Sequence, residues 1–483
     1  MRMIEIKFST NAVDFENDYM DIVRAFAPHI KVSEDGVPLT LTLNKLSEYS
    51  AIAQIDFKEK SLQYPFEIEK EFLEDKNSQF FEIKYKAQIK RHSKVALYRF
   101  ISELTGVTLP YGSLTGIRPT KLYHEVQQKG LNVDKYFLDE LYVSNNKLTL
   151  IKSIVGNQVS YYNVDENDVD VFVNIPICVS RCSYCSFISA QLDKIKKFVN
   201  PYCDLLVKEL QCTAEIIKER GLNVRSVYIG GGTPTSLDDK NFERVIQASA
   251  FDCKEFTVEA GRPDTITREK LDIMAKYGVN RISVNPQTFN QKTLDIIGRS
   301  HRVDEIYSVY KMAREYDFDI NMDLIAMLPG ESFDDFKYSV DCAISLNPDN
   351  ITVHTLAIKK GSALKVDGYE SDSWEKANKM VDYAYDVLTK SDYSPYYMYK
   401  QKYMSGNLEN VGYCKKDKAC IYNIAIMEEI SSIIANGAGG ISKRLFGDSR
   451  IERLANPKGI DVYLQREEKL ISDKKKIFEH CSK

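Results

Sequence analysis

The chain has 483 residues, 43% hydrophobic and 28% charged, with a formal net charge of −4 and a pI near 6.0. That length allows two or three domains. Lys and Arg are scattered among Asp and Glu, which argues against a nucleic-acid protein, whose binding face is usually strongly basic. No stretch approaches 18 apolar residues and the opening MRMIEIKFST lacks an apolar signal core, so the expectation is a cytoplasmic chain with no membrane span.

Residues 1–165 read as a separate α+β module. Alternating runs (IEIKFS, LTLTL, AIAQIDF, FEIKYKAQI) predict strands of a small sheet. Helical patterns follow in KVALYRFISELTG, RPTKLYHEVQQKG and LTLIKSIVGNQV, with Gly106 and Gly130 where helix ends would put them. From about Val169 the pattern becomes strand, loop, helix, repeated. Six predicted strands (VDVFVNIP, RSVYIG, EFTVEA, NRISVN, INMDLIAM, NITVHTL) alternate with helical stretches such as YCDLLVKELQCTAEIIKERG and FDDFKYSVDCAISL. This order implies an α/β fold, a parallel sheet closing into a partial (β/α)6 barrel over residues 166–370, with chemistry at the C-terminal strand ends. An open doubly wound sheet is the alternative. Residues 371–483 read as a mixed helical and loop region that covers the substrate side.

Seven of the ten cysteines lie apart, and in a chain without an export signal they read as thiols rather than disulfides. The other three crowd into IPICVSRCSYCSF, directly after the first strand of the repeat. Cys178, Cys182 and Cys185 supply three thiolates where a structural zinc site normally needs four ligands. Three thiolates suit three irons of a 4Fe–4S cubane, leaving the fourth open to something else. The alternative is a zinc loop completed from elsewhere, or unconnected thiols. Cys414 and Cys420 offer only two further thiolates, with Cys481 in a polar tail, so a single cluster and two free, partly exposed thiols are expected.

Other strand ends carry matching chemistry. The second ends in Gly230-Gly231-Gly232-Thr233-Pro234-Thr235, where glycines let backbone approach a ligand. The third ends at Glu259, the fourth gives Arg281, Ser283 and Gln287 with Arg299 following, and the fifth carries Asp323. Carboxylate and guanidinium at neighbouring strand ends make a clamp for a zwitterionic amino acid and a ribose.

The C-x3-C-x2-C spacing with Tyr184 before the last Cys resembles the signature of the radical S-adenosylmethionine (SAM) superfamily. The series GGGTPT, Glu, RISxxxQ, GR, DLIxxLPG resembles the oxygen-independent coproporphyrinogen III oxidase family from about Phe172 to Gly361. YGSLTGIRPTKLYHE, VEAGRPDTI, SVNPQTFN, VHTLAIKKGS and YYMYKQKYMSGNLENVGY are similar to one branch, the HemZ-type coproporphyrinogen dehydrogenases. The resemblance implies a 4Fe–4S cluster on Cys178, Cys182 and Cys185 and S-adenosyl-L-methionine on its open iron, from which a 5′-deoxyadenosyl radical is released. By position, Gly231, Gly232 and Thr233 would face the cofactor's amino group, Arg299 its carboxylate, and Glu259, Gln287 and Asp323 its amino group or ribose. It also implies oxidative decarboxylation of porphyrinogen propionates and a reducing partner such as flavodoxin or ferredoxin. Lys359, Lys360, Lys400 and Lys402 would meet the carboxylates, and Tyr396, Tyr397 and Tyr399 would stack on the macrocycle. Relatives that look like haem carriers suggest a rival, a haem-binding chaperone or an enzyme acting on haem, for which His354 is a candidate iron ligand. The chain departs from the typical oxidase in having Phe172 and Asn174 for Tyr and His, Phe187 for a further Cys, and one extra residue between the Glu and Pro of EAGRP.

Overall fold

The computed structural model describes residues 3–73, 76, 78, 80–116, 118–187, 190–359, 361–369, 374–402, 404–447 and 450–479. The chain divides into two units, one drawn from 1–153, 371–379 and 399–409, the other from 154–370, 380–398 and 410–483.

In the first unit, β1 (Ile4–Thr10), β2 (Ile30–Val32), β3 (Val37–Lys45), β4 (Ser50–Phe57) and β5 (Lys60–Glu67) form a sheet in the order β2-β1-β3-β4-β5. β1 is parallel to both neighbours, and β3, β4 and β5 are an antiparallel meander. Alternation puts Leu39, Leu41, Ala51, Ala53 and Ile55 on one face, in a core with Ile22 and Val23 of helix Glu16–Ala25 and Leu97 and Ile101 of helix Phe81–Thr105. The strand predicted at FEIKYKAQI is instead the first turns of that last helix. Its apolar residues satisfy a helical spacing as well as an alternating one, and the 25-residue helix continues through the pattern that follows. Two strands went unanticipated: IKV, only three residues long, and KSLQYPFE, whose Pro65 and polar residues hide it. Gly106 ends the helix at φ 69°, a left-handed cap that favours glycine.

In the second unit the six predicted strands are all present: β6 (Asp168–Ile175), β9 (Asn223–Gly231), β10 (Glu255–Gly261), β11 (Arg281–Val284), β12 (Asp319–Ala326) and β13 (Asn350–Thr355). A short pair, β7 (Ile177–Cys178) and β8 (Ala190–Gln191), follows β6. The six pair in parallel, each with the next in sequence. Between them run helices Leu192–Arg220, Asp239–Ala248, Arg268–Lys276, Val303–Ala313 and Phe333–Leu346. Asp238, Thr267 and Ser332 cap three of them by accepting backbone N–H bonds in the first turn. This is the parallel (β/α)6 arrangement that the repeat predicted. The tail extends it on both sides. β14 (Ser394–Lys400) and β15 (Glu409–Cys414) continue beyond β13, and β16 (Ser432–Asn436), β17 (Ile441–Leu445) and β18 (Ile451–Ala455) continue beyond β6. β16 is parallel to β6, so it brings a seventh strand end to the same edge.

Strand alternation separates two environments. On β12, Ile320, Met322 and Leu324 are fully buried while Asn321 and Asp323 on the opposite face are half-buried. At the strand starts that polar face is closed by an ionic lattice. Arg281 lies 3.4 Å from Glu255 and 3.1 Å from Asp319, and donates to Asn350. Glu255 also accepts the backbone N–H groups of Ile421 and Tyr422 at 2.7 and 3.1 Å, which fastens the tail to the strand starts. Above this layer Tyr422 stacks on Tyr228 (4.4 Å between centroids) and on Phe172 (6.0 Å).

A second buried lattice holds the seventh strand. Glu209 of helix Leu192–Arg220 accepts from Gly437 N (2.7 Å), Asn456 Nδ2 (2.8 Å), Tyr463 OH (2.6 Å) and Lys474 Nζ (2.8 Å), with Glu209 and Lys474 both sealed from solvent. Removing one partner strands a buried charge. Glu209→Ala is expected to cost about 3–5 kcal/mol of unfolding free energy, measured by urea titration, whereas a surface control such as Lys196→Ala should fall within about 0.5 kcal/mol of the parent.

Candidate active site

The cysteine loop leaves β6 and is docked onto two other segments, at Ile297 and at Gly361–Leu364. Ser183 N donates to Ile297 O at 3.0 Å, Leu364 N donates to Ser183 O at 3.1 Å, and Arg181 Nη2 donates to Gly361 O at 2.7 Å. Cys178, Cys182 and Cys185 are all partly exposed. Burial raises the Cys185 thiol, and the other two cysteines add to that rise, which places the three sulfurs within reach of each other's charge. Among the described residues no three His, Cys, Asp or Glu side chains converge as they would on a single ion. A cubane takes each thiolate on a separate iron, and three thiols on one short loop suit it better than a structural zinc site, which normally needs four ligands.

The glycine loop after β9 lies against this one. Gly232 N donates to Ile175 O at 2.9 Å and Thr233 N to Ile177 O at 2.8 Å, while the Thr233 hydroxyl reaches Cys178 Sγ at 3.5 Å. A Cβ on Gly232 would sit 2.6 Å from Ile177 O, and one on Gly231, whose φ is +102°, would collide with Asn174 Oδ1. Glycine is therefore required at both positions. Asn174 also donates to Ala438 O in the Gly437–Gly440 loop that follows β16. The residue that departs from the typical oxidase is thus bonded to one glycine loop and packed against the other. The sequence reading missed the second loop. Its signal is the glycine run GAGG after the apolar run SIIAN.

Glu259 and Asp323 are poised differently. Burial pushes the Glu259 carboxyl up, against the Tyr228 hydroxyl that donates to it at 2.5 Å. Burial also pushes Asp323 up, but His354 at 3.6 Å, Asn321 at 2.8 Å and the Arg299 charge outweigh it, and the net shift is downward. Asn285, which sequence reasoning passed over, joins the set. Its Nδ2 donates to Asp323 Oδ2 at 2.6 Å and its carbonyl accepts Arg299 Nη1 at 2.8 Å. Gln287 sits at φ +67° with its backbone bonded to Asp323 O and Ile325 N, so its bend is held from β12.

Arg299 is buried, with 8% of its surface exposed. It donates to the Asn285 carbonyl and lies 3.5 Å from the Tyr184 hydroxyl, and its Nε has no hydrogen-bond partner among the described residues. No carboxylate pairs with it there. A buried guanidinium with an N–H left unpaired is suited to receive a carboxylate.

Several expected residues lie elsewhere. Arg281 stands at the start of β11 in the ionic lattice, at the opposite end of the strand from the site. Tyr396 and Tyr397 are buried core residues rather than a stacking platform. Lys400 is buried in the first unit, donating to Leu114 O at 2.7 Å over the Tyr111 ring, and Lys402 pairs with Asp21 at 2.8 Å. Cys414 and Cys420 are buried, not partly exposed, and Cys420 Sγ lies 3.2 Å from Glu255. Lys360 and Cys481 fall outside the described residues. Lys359 remains: it is half-buried after β13, burial lowers its ammonium, and no side-chain partner meets it among the described residues. No described helix is long and apolar enough to cross a membrane.

The Radical SAM superfamily model matches residues 174–343. The oxygen-independent coproporphyrinogen-III oxidase-like protein HemZ of Bacillus subtilis (strain 168) is 37% identical over 409 residues, 81% of each chain. The heme chaperone HemW of the same strain is 34% identical over 196 residues, 39% of this chain and 50% of its own. The structure of Escherichia coli coproporphyrinogen III oxidase (HemN), described as a radical SAM enzyme, matches with a TM-score of 0.52 and 22% identity over 65% of this chain and 72% of that one, a likeness of fold. Identity at the first level, sustained over 81% of both chains, makes this chain a member of the oxygen-independent coproporphyrinogen-III oxidase-like family of radical SAM proteins, whose cofactors are a 4Fe–4S cluster and S-adenosylmethionine.

Proposed function

We propose that the chain is a radical SAM oxidoreductase that converts propionate side chains of coproporphyrinogen III to vinyl groups without oxygen. The observation that carries this reading is the gathering of the cysteine loop, the Gly231–Thr233 loop, Glu259, an anion-seeking Arg299 and Asp323 at one edge of six parallel strands. Cys178, Cys182 and Cys185 would hold three irons. Arg299 would take the cofactor carboxylate, while Gly231, Gly232 and Thr233 face its amino group, and Glu259, Gln287 and Asp323 its amino group or ribose. When bound, the cluster and cofactor supply one-electron cleavage and a hydrogen-abstracting carbon radical, the hard step that the protein itself does not perform.

The protein's work is then to orient the substrate and exclude water. Loss of a hydrogen atom from the propionate β-carbon, followed by loss of carbon dioxide and one electron to an acceptor, leaves the vinyl group. Flavodoxin or ferredoxin would furnish the electron that primes the cluster. Lys359, half-buried and lacking a partner among the described residues, suits a propionate carboxylate. The second reading is a haem-binding chaperone. It is supported by the likeness to HemW and by His354, a part-exposed imidazole at the end of β13. Residues 371–483 would cover the substrate side, through the Gly437–Gly440 loop above all.

Anaerobic reconstitution is expected to load about four irons and four sulfides per chain. Ala at Cys178, Cys182 or Cys185 should abolish the visible absorbance, while the Cys414→Ser, Cys420→Ser pair should leave the iron count unchanged in protein that remains folded. Full iron loading in all three Ala variants would sink the assignment.

With reductant, S-adenosylmethionine and coproporphyrinogen III, 5′-deoxyadenosine and a vinyl-bearing porphyrinogen should both accumulate, as read by chromatography and mass spectrometry. Deoxyadenosine without porphyrinogen loss would keep the radical enzyme and discard this substrate. Tight one-to-one haem binding with no cleavage would favour the carrier. In the first case, Lys359→Ala should raise KM for the porphyrinogen about tenfold, with iron content and cofactor affinity unchanged.

A further inference from the structure

Between Val258 and Gly261 the pairing of β10 with β11 slips by one residue: Val258 faces Ile282 but Gly261 faces Val284. Three steps on one strand match two on the other, which is a β-bulge, and Gly261 takes a left-handed φ of +69° within it. The extra residue in EAGRP is therefore absorbed as a bulge that re-aims the chain, and it delivers Arg262 to the cysteine loop.

Arg262 is 3% exposed and its guanidinium is fully engaged. Nε and Nη2 form a fork on Asp264 at 3.0 and 2.8 Å, and Nη1 donates to the Ser180 hydroxyl at 2.7 Å, with the Ser180 carbonyl at 3.5 Å. Ser180 lies between Cys178 and Cys182. The same hydroxyl points across to Gly298 O at 3.5 Å, next to Arg299. Asp264 sits among three cationic or proton-bearing groups. Burial raises its carboxyl, but Arg262 first, then His301 and Arg299, bring it below its ordinary range. His301 is wholly buried, and burial and Arg299 press its imidazole down to about 4, so it carries no charge with which to neutralise Asp264 at neutral pH.

We infer that Arg262 is a positioning residue for the cluster loop: its fork on Asp264 fixes the guanidinium, whose remaining edge pins Ser180 between Cys178 and Cys182. The inference rests on the reading of the loop as the cluster site. A lysine at position 262 has one ammonium in place of the planar fork, so it can meet Asp264 but cannot also hold Ser180. A glutamine has neither the charge nor the fork.

The test uses the full chain, both before and after cluster reconstitution. In cluster-free protein, amide hydrogen exchange at Arg181–Ser183 should quicken about tenfold in both Arg262→Lys and Arg262→Gln. The Ser180→Ala variant, which removes the hydroxyl that Arg262 holds, should quicken exchange at the same amides. In reconstituted protein, both Arg262 variants should lose the cluster's visible absorbance to a chelator about tenfold faster than the parent, with exchange in the first unit's sheet unchanged. Parent-like exchange at Arg181–Ser183 in folded Arg262→Gln would overturn the inference. If the parent chain itself takes up no iron, the cluster reading fails, while the exchange measurement still decides whether Arg262 holds the loop.

Discussion

Six neighbouring strands running in one direction force their chemistry to one end. Parallel pairing in register places the last residues of β6, β9, β10, β11, β12 and β13 along a single edge, with the helices returning the chain to the start each time. Each strand then alternates between a face that packs on helices, such as Ile320, Met322 and Leu324, and a face that does not. That second face cannot be left polar and dry, because unpaired buried groups are costly. It is resolved in layers: an ionic lattice around Arg281 at the strand starts, an aromatic stack of Phe172, Tyr228 and Tyr422 in the middle, and carboxylates, amides and glycines at the open end.

The layering accounts for two departures from the typical oxidase. Phe172 lies in the aromatic layer, where a hydroxyl would need a partner among rings, so its loss suits a packed floor. Asn174 lies one pleat higher, where its amide donates to Ala438 O and its oxygen packs against Gly231. A side chain engaged by two loops is held at the wall and is not free to project from it. Neither change falls on the cysteines of the loop.

Much of the barrel was legible in the sequence because each strand and helix declares itself locally. VDVFVNIP, EFTVEA and INMDLIAM became β6, β10 and β12 with ends within a residue or two. What stayed hidden depends on distant partners. SIIAN is only five residues long, and its parallel pairing with Val169–Val173 closes a loop of more than 250 residues that no local pattern announces. The Lys and Tyr residues of YYMYKQKY look alike in sequence, yet Tyr396 and Lys400 are buried while Lys402 reaches a surface carboxylate. Burial, not residue type, separates them. Arg281 was misplaced for a different reason. It opens its strand, so its position in the run already assigned it to the closed end, and its charge drew it toward the wrong one.

Charge pairing around the open end narrows what the site can accept. Asp264 is matched by Arg262, and Asp323 lies against His354 and two amides. Glu259, raised by burial, sits against the Tyr228 hydroxyl and the Gly231 amide, and it gains most from a donor that arrives with positive charge. Arg299 gains most from a negative one. A ligand bearing an ammonium and a carboxylate on the same carbon answers both at once, which neither a simple anion nor a simple cation does. On the proposed assignment these two groups would favour a zwitterion, and the cysteine loop stands beside Arg299 because Ser180 and Ser183 are fastened to the same Ile297–Arg299 segment.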